Sequence, residues 1–160
     1  MREEPFGLRI EGFDLRGALF VPRGEGAHPG LIISHGIPAG VQDSLDRGYP
    51  ALAERFCEQG FLTAVFNYRG CGLSGGEFEI RGWTRDLAAV TGFLLARQDL
   101  DARCLVLMGF SGGAATSLSF EPTPGIHVSP PRPGKPRTPP GWNRIPRPLS
   151  VCPWRPGIGT

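Results

Sequence analysis

Gly109-Phe110-Ser111-Gly112-Gly113 is a G-x-S-x-G sequence, and its chemistry is attack on a carbonyl carbon. A serine at the tip of a sharp strand-to-helix turn presents its hydroxyl in the open, and the flanking positions must be small because the turn is tight. Leu105-Val106-Leu107-Met108 supplies an apolar strand before the serine, and Ala114-Ala115-Thr116 continues as helix after it. The first amides of that helix, and its dipole, would face a developing negative charge. Gly72-Leu73-Ser74-Gly75-Gly76 fits the same pattern, but no apolar strand enters it and no helical pattern follows. Structural context therefore selects Ser111 as the candidate nucleophile.

A second stretch, Ser34-His35-Gly36-Ile37-Pro38-Ala39-Gly40, follows another apolar run and can offer backbone amides near the same edge of a sheet. An oxyanion needs two converging N–H donors, one from the residue after the nucleophile and one from such a loop. Gly112 and Ile37 are the expected donors, with Gly36 in reserve. His35 precedes the nucleophile in a segment suited to carbonyl binding, so it reads as a structural loop histidine rather than a base.

The elements that must hold these residues follow from patterning. Phe6 to Phe13 and Leu15 to Val21 read as a hairpin, with Gly12 and Asp14 at the junction. Leu31 to Ser34, Phe61 to Phe66 and Leu105 to Met108 are unbroken apolar runs, the signature of strands buried on both faces. Tyr49 to Gln59 has helical spacing and stops at Gly60; a second helix, with Thr84 as its cap, carries Leu87, Val90, Thr91 and Leu94 on one face. Apolar strands separated by helix-length connections indicate a parallel sheet with crossover helices, an α/β class.

The loop at His35-Gly36, the segment Asn67-Tyr68-Arg69-Gly70-Cys71-Gly72-Leu73-Ser74-Gly75, the helix around Trp83-Thr84-Arg85-Asp86-Leu87 and the turn at Ser111 together resemble the α/β-hydrolase superfamily. The nearest likeness is to small serine hydrolases of the serine aminopeptidase and dienelactone-hydrolase-like kind, over residues 1 to about 119. Asn67 stands where that family usually has aspartate, and Ser111 rather than cysteine favours the esterase and peptidase members. The resemblance implies hydrolysis of a small acyl or peptide substrate (ester, thioester or amide) without cofactor or metal. Histidine takes the serine proton and an acid orients the histidine, in chain order serine, acid, histidine.

That order is not completed. Glu121 and His127 are the sole acid and histidine after Ser111. A continuing helix would carry Glu121 roughly 15 Å away, and Pro122, Pro124, Pro130 and Pro131 leave no rigid element to hold His127. Twelve of the 17 prolines and six basic residues fall within 121–160, against one acid. The expectation is therefore an incomplete α/β-hydrolase fold over 1–119, a disordered Pro/Arg/Gly-rich tail over 120–160, and an inactive chain lacking two triad members. Arginine outnumbers lysine 16 to 1, which suits a GC-rich gene in which a shifted reading frame would yield such a tail. The alternative is a non-catalytic fragment or an interaction protein, with Pro130, Pro133, Pro136 and Pro139 spaced as a polyproline ligand beside Lys135 and Arg137.

The net charge of +2 averages a mildly acidic front and a basic tail, and argues for neither a nucleic-acid nor a membrane partner. Cys57, Cys71, Cys104 and Cys152 are widely spaced and read as buried free thiols rather than a disulfide framework or zinc site. Acidic residues near the N-terminus do not suit a signal peptide, and the default location is cytoplasmic. Nothing in the residues sets an oligomeric state.

Overall fold

The computed structural model describes residues 1–38 and 48–120. Strands β1 (Arg2–Ile10) and β2 (Phe13–Val21) form an antiparallel hairpin in register from Arg2↔Val21 to Ile10↔Phe13. Its two-residue turn is Glu11-Gly12, both with positive φ (43° and 90°), the backbone that matches the right-handed strand twist. Asp14 therefore lies inside β2 rather than in the turn.

Strand β3 (His28–Ser34) is followed by helix α1 (Gly48–Glu58), β4 (Leu62–Phe66), α2 (Trp83–Leu95), β5 (Leu100–Gly109) and α3 (Gly112–Leu118). The five strands make one sheet in the order β1-β2-β4-β3-β5, with β3 parallel to both β4 and β5, and β2 antiparallel to β4. The expected α/β architecture, a hairpin plus parallel strands with crossover helices, is what these residues form.

The two sheet faces explain the unbroken apolar runs. Leu31 and Ile33 point to one side, where Ala53 and Cys57 of α1 pack with Phe20 and Val65. Ile32 points to the other, against a core containing Leu19, Leu62, Ala64 and Phe66 with Trp83, Leu87, Val90 and Leu94 of α2. Each such fully buried aliphatic or aromatic side chain contributes about 1.5–3 kcal/mol. Helix α1 ends as a Schellman motif. The Gly60 amide donates to the Cys57 carbonyl at 2.9 Å, the Phe61 amide donates to the Phe56 carbonyl at 3.1 Å, and Gly60 takes φ 94°.

Four further expectations are corrected. Thr84 does not cap α2: the helix starts at Trp83 with Gly82 before it, and the Thr84 hydroxyl instead reaches back to the Arg81 carbonyl at 3.4 Å. Strands β1 and β5 begin earlier than their apolar runs, at Arg2 and Leu100. Cys57 and Cys71 are buried free thiols, but Cys104 is exposed. It lies where pairing with β3 jumps from Asp101 to Leu105, so the intervening residues leave the ladder. The tail with its polyproline spacing, Glu121, His127 and Cys152 lies outside the described residues.

Candidate active site

Strand β5 delivers the chain to Ser111 and α3 carries it away, the strand-turn-helix expected from the G-x-S-x-G sequence. Ser111 adopts φ 50° and ψ −117°, a conformation that an L-residue holds only under constraint from its surroundings. The constraint comes from the glycines. A Cβ on Gly109 would strike the Gly113 carbonyl and the Ala114 backbone, and one on Gly113 would strike the His35 and Ser34 carbonyls. The Phe110 amide donates to the Ser34 carbonyl at 3.0 Å, tying the turn to the end of β3. Ser111 is exposed and, among the described residues, its hydroxyl has no hydrogen-bond partner.

Ser74 is different in kind. Its hydroxyl donates to the Asn67 carbonyl at 2.6 Å and accepts the Arg16 amide at 2.9 Å, so it is occupied in bracing a loop against β2.

The loop after β3 meets the turn directly. A Cβ on Gly112 would lie 3.2 Å from Ile37 Cγ1 and 3.7 Å from Ile37 N, which brings together the two residues predicted to donate amides. Among the described residues neither the Gly112 nor the Ile37 amide has an acceptor. Gly36 is close to Ser111 as well, but its amide donates to the Tyr49 hydroxyl at 3.4 Å. The reserve donor is therefore already engaged.

His35 is buried, and both ring nitrogens are used: the Tyr68 amide donates to Nε2 at 3.0 Å and Nδ1 lies 2.5 Å from the Gly36 carbonyl. Burial pushes its pKa below the usual histidine value. His28 opens β3 at the far end, roughly 20 Å from Ser34 at about 3.3 Å per strand residue. Neither described histidine is placed to take a proton from Ser111.

Beneath the turn, Trp83 lies 3.2 Å from the Gly112 Cβ position and stacks flat on Tyr68, centroids 4.1 Å apart and planes 1° from parallel. This pair is held by a buried ionic knot that sequence reasoning missed. The Arg69 guanidinium donates to Asp86 Oδ1 from Nε at 2.9 Å and from Nη2 at 2.7 Å, and the Arg69 amide donates to Oδ2 at 2.9 Å. Asp86 holds the guanidinium firmly charged, and Glu11 in the hairpin turn adds a contact at 2.8 Å. One signal was available: Asp86 shares the buried face of α2 with Val90 and Leu94, and an acid on an apolar stripe calls for a buried cation.

Among the described residues no cluster of three or more histidine, cysteine or acidic side chains could hold a metal ion, and no helix is long and apolar enough to cross a membrane.

Solved structures share this fold. An alpha/beta hydrolase, GrgF from Penicillium sp. sh18, superposes with a TM-score of 0.63 over 74% of this chain and 41% of its own, at 24% identity. XC6422 from Xanthomonas campestris, described as a member of a/b serine hydrolase without lid, gives a TM-score of 0.56 at 29% identity, covering 72% of this chain and 54% of its own. The described chain is the N-terminal part of an α/β-hydrolase fold. Est1E from Butyrivibrio proteoclasticus, solved with ferulic acid, shares the fold at a TM-score of 0.61 and 22% identity, over 71% of this chain and 45% of its own. A curated relative from Escherichia coli, "Uncharacterized 31.7 kDa protein in traX-finO intergenic region", is 35% identical over 105 residues, which is 62% of this chain. The chain spans 34% of that relative's length. No family model matches it.

Proposed function

We propose that Ser111 is the nucleophile of an acyl-transfer hydrolase and that the Gly112 and Ile37 amides form its oxyanion hole. The observation that carries this reading is the strained backbone of Ser111 beside two amides that have no acceptor among the described residues. Strain of this kind is worth about 1–3 kcal/mol and persists only where the surroundings enforce it. Here it holds a hydroxyl that has no hydrogen-bond partner among the described residues.

In the reaction, Ser111 Oγ attacks the carbonyl carbon of an ester, thioester or peptide, and its proton passes to a general base. The carbonyl oxygen becomes an oxyanion that accepts from Gly112 N–H and Ile37 N–H. Collapse expels the alcohol, thiol or amine, and water then hydrolyses the acyl-serine. One oxyanion donor accounts for about 10²–10³ in rate. The hydrolase nature of the structurally similar proteins supports this class of reaction.

We assign the base and its acid to no described residue, and the 160-residue chain is proposed to be inactive or nearly so by itself. Binding and the hole alone leave about 10³–10⁴ over water in a well-folded enzyme. Ser111 should nevertheless be modified by a fluorophosphonate when imidazole is supplied as an external base. Mass spectrometry should find the adduct on Ser111, growing with imidazole concentration and absent in Ser111→Ala. An adduct on other serines, or none at any imidazole concentration, would refute the reading.

A further inference from the structure

His35 touches no reacting atom, yet its hydrogen bonds bear on the hole. A backbone amide can only donate, so His35 Nε2, accepting from Tyr68 N at 3.0 Å, carries no proton. The ring proton is then on Nδ1, which donates to the Gly36 carbonyl at 2.5 Å. Tyr68 and Trp83 set their rings edge-on to the imidazole, with centroids 5.1 and 5.6 Å away, and Tyr49 closes a third side at 6.4 Å.

The peptide joining Gly36 to Ile37 is planar and trans, so its C=O and N–H point in opposite directions. Tying the Gly36 oxygen to the imidazole therefore turns the Ile37 N–H away from it. The other peptide of Gly36 is pinned where its amide donates to the Tyr49 hydroxyl. Glycine would otherwise let this peptide rotate at little steric cost.

We infer that His35 is a positioning residue: its Nδ1–H, donated to the Gly36 carbonyl, fixes the Gly36–Ile37 peptide so that the Ile37 amide faces the Ser111 hydroxyl. Its catalytic meaning rests on the proposed reading of Ser111 and Ile37; the tautomer and the peptide orientation do not.

NMR on the isotope-labelled full chain tests the structural half. At neutral pH the His35 Nε2 should resonate as an unprotonated nitrogen and Nδ1 as a protonated one; the opposite tautomer, or an imidazolium, overturns the inference. Two variants divide the ring's functions. The side-chain amide of His35→Asn reaches the Nδ1 position, and the side-chain carbonyl of His35→Gln reaches the Nε2 position. The Gly36 carbonyl and Ile37 amide signals should stay near their wild-type positions in His35→Asn and move in His35→Gln. Equal behaviour of the two variants overturns the inference.

Imidazole-assisted phosphonylation of Ser111 tests the catalytic half. It should fall about 10²-fold in His35→Gln, the loss expected for one oxyanion donor, and within about tenfold in His35→Asn. Wild-type labelling in His35→Gln would overturn the positioning role and leave Ser111 as nucleophile. Absence of labelling in the wild-type chain would overturn the reading of Ser111 and any catalytic role for His35 with it.

Discussion

Gly36 lies directly against Ser111: a Cβ on the glycine would stand 3.0 Å from the serine Cβ and 3.1 Å from the Phe110 carbonyl oxygen. The loop after β3 and the turn after β5 are thus in contact with no room for a methyl group. Gly36→Ala should force them apart by a few tenths of an ångström, with a stability loss of about 1–3 kcal/mol. Because Ile37 follows immediately, Ser111 labelling should suffer more than folding does. Denaturant melts beside labelling rates check this; equal proportional losses in both would contradict it.

Ser111 itself should separate stability from reactivity. Alanine at position 111 keeps the Cβ and hence the unfavourable φ of 50°, whereas glycine takes that conformation without strain. Ser111→Gly should therefore be more stable than Ser111→Ala by about 1 kcal/mol, after allowing for glycine's greater freedom in the unfolded chain. Urea midpoints of the two variants measure it, and neither should react with a fluorophosphonate at this position. If the alanine variant proves the more stable, the backbone at 111 is not strained.

Much of this arrangement is legible in residue order, and the exceptions have physical causes. The buried strands declare themselves because both of their faces are covered, so Leu31, Ile32 and Ile33 need no alternation. The start of β1 is hidden because Arg2-Glu3-Glu4 lies on a strand that, among the described residues, pairs on one side only. The start of β5 is hidden by the break between Asp101 and Leu105. Spacing around Ser111 suffices to find the turn, since its steric demands are local. Occupation of the Gly36 amide was not legible, because its partner Tyr49 arrives through α1 thirteen residues later. The Arg69–Asp86 knot joins residues 17 apart and needs the tertiary fold to be seen.

That knot should be a main determinant of stability. Asp86 is fully buried and the Arg69 side chain nearly so, with three hydrogen bonds between the two residues. Removing the carboxylate leaves the buried guanidinium only its half-exposed contacts to Glu11 and Glu79, and losses from breaking a buried pair run up to about 3–5 kcal/mol. Asp86→Asn should show most of this in denaturant unfolding, and Ser111 labelling should fall as Trp83 and Tyr68 lose their support. A variant within 1 kcal/mol of wild type, on the order of an exposed pair, would mean that the Glu11 and Glu79 contacts suffice to hold Arg69.

Acid should reach the fold first through His35. Burial lowers its pKa from 6.5, so the folded protein resists the proton that the unfolded chain accepts. Above 6.5 both states carry a neutral ring and stability is at its full value; as pH falls through 6.5 toward the depressed folded value, the unfolded state binds the extra proton and stability declines. Protonation would also set an Nε2–H against the Tyr68 amide, two donors face to face. The carboxylates act lower: Glu11 is held below 4.5 by Arg69 and Arg85, and Asp99 below 3.8 by Arg97, so the stability they contribute is lost only beneath those values. Between pH 7.5 and 5.5 the urea midpoint of the wild-type chain should therefore fall, and that of His35→Gln, which keeps an acceptor for Tyr68 but cannot titrate, should fall less. Parallel slopes would place the titrating group elsewhere and return His35 to a ring that packs without sensing pH.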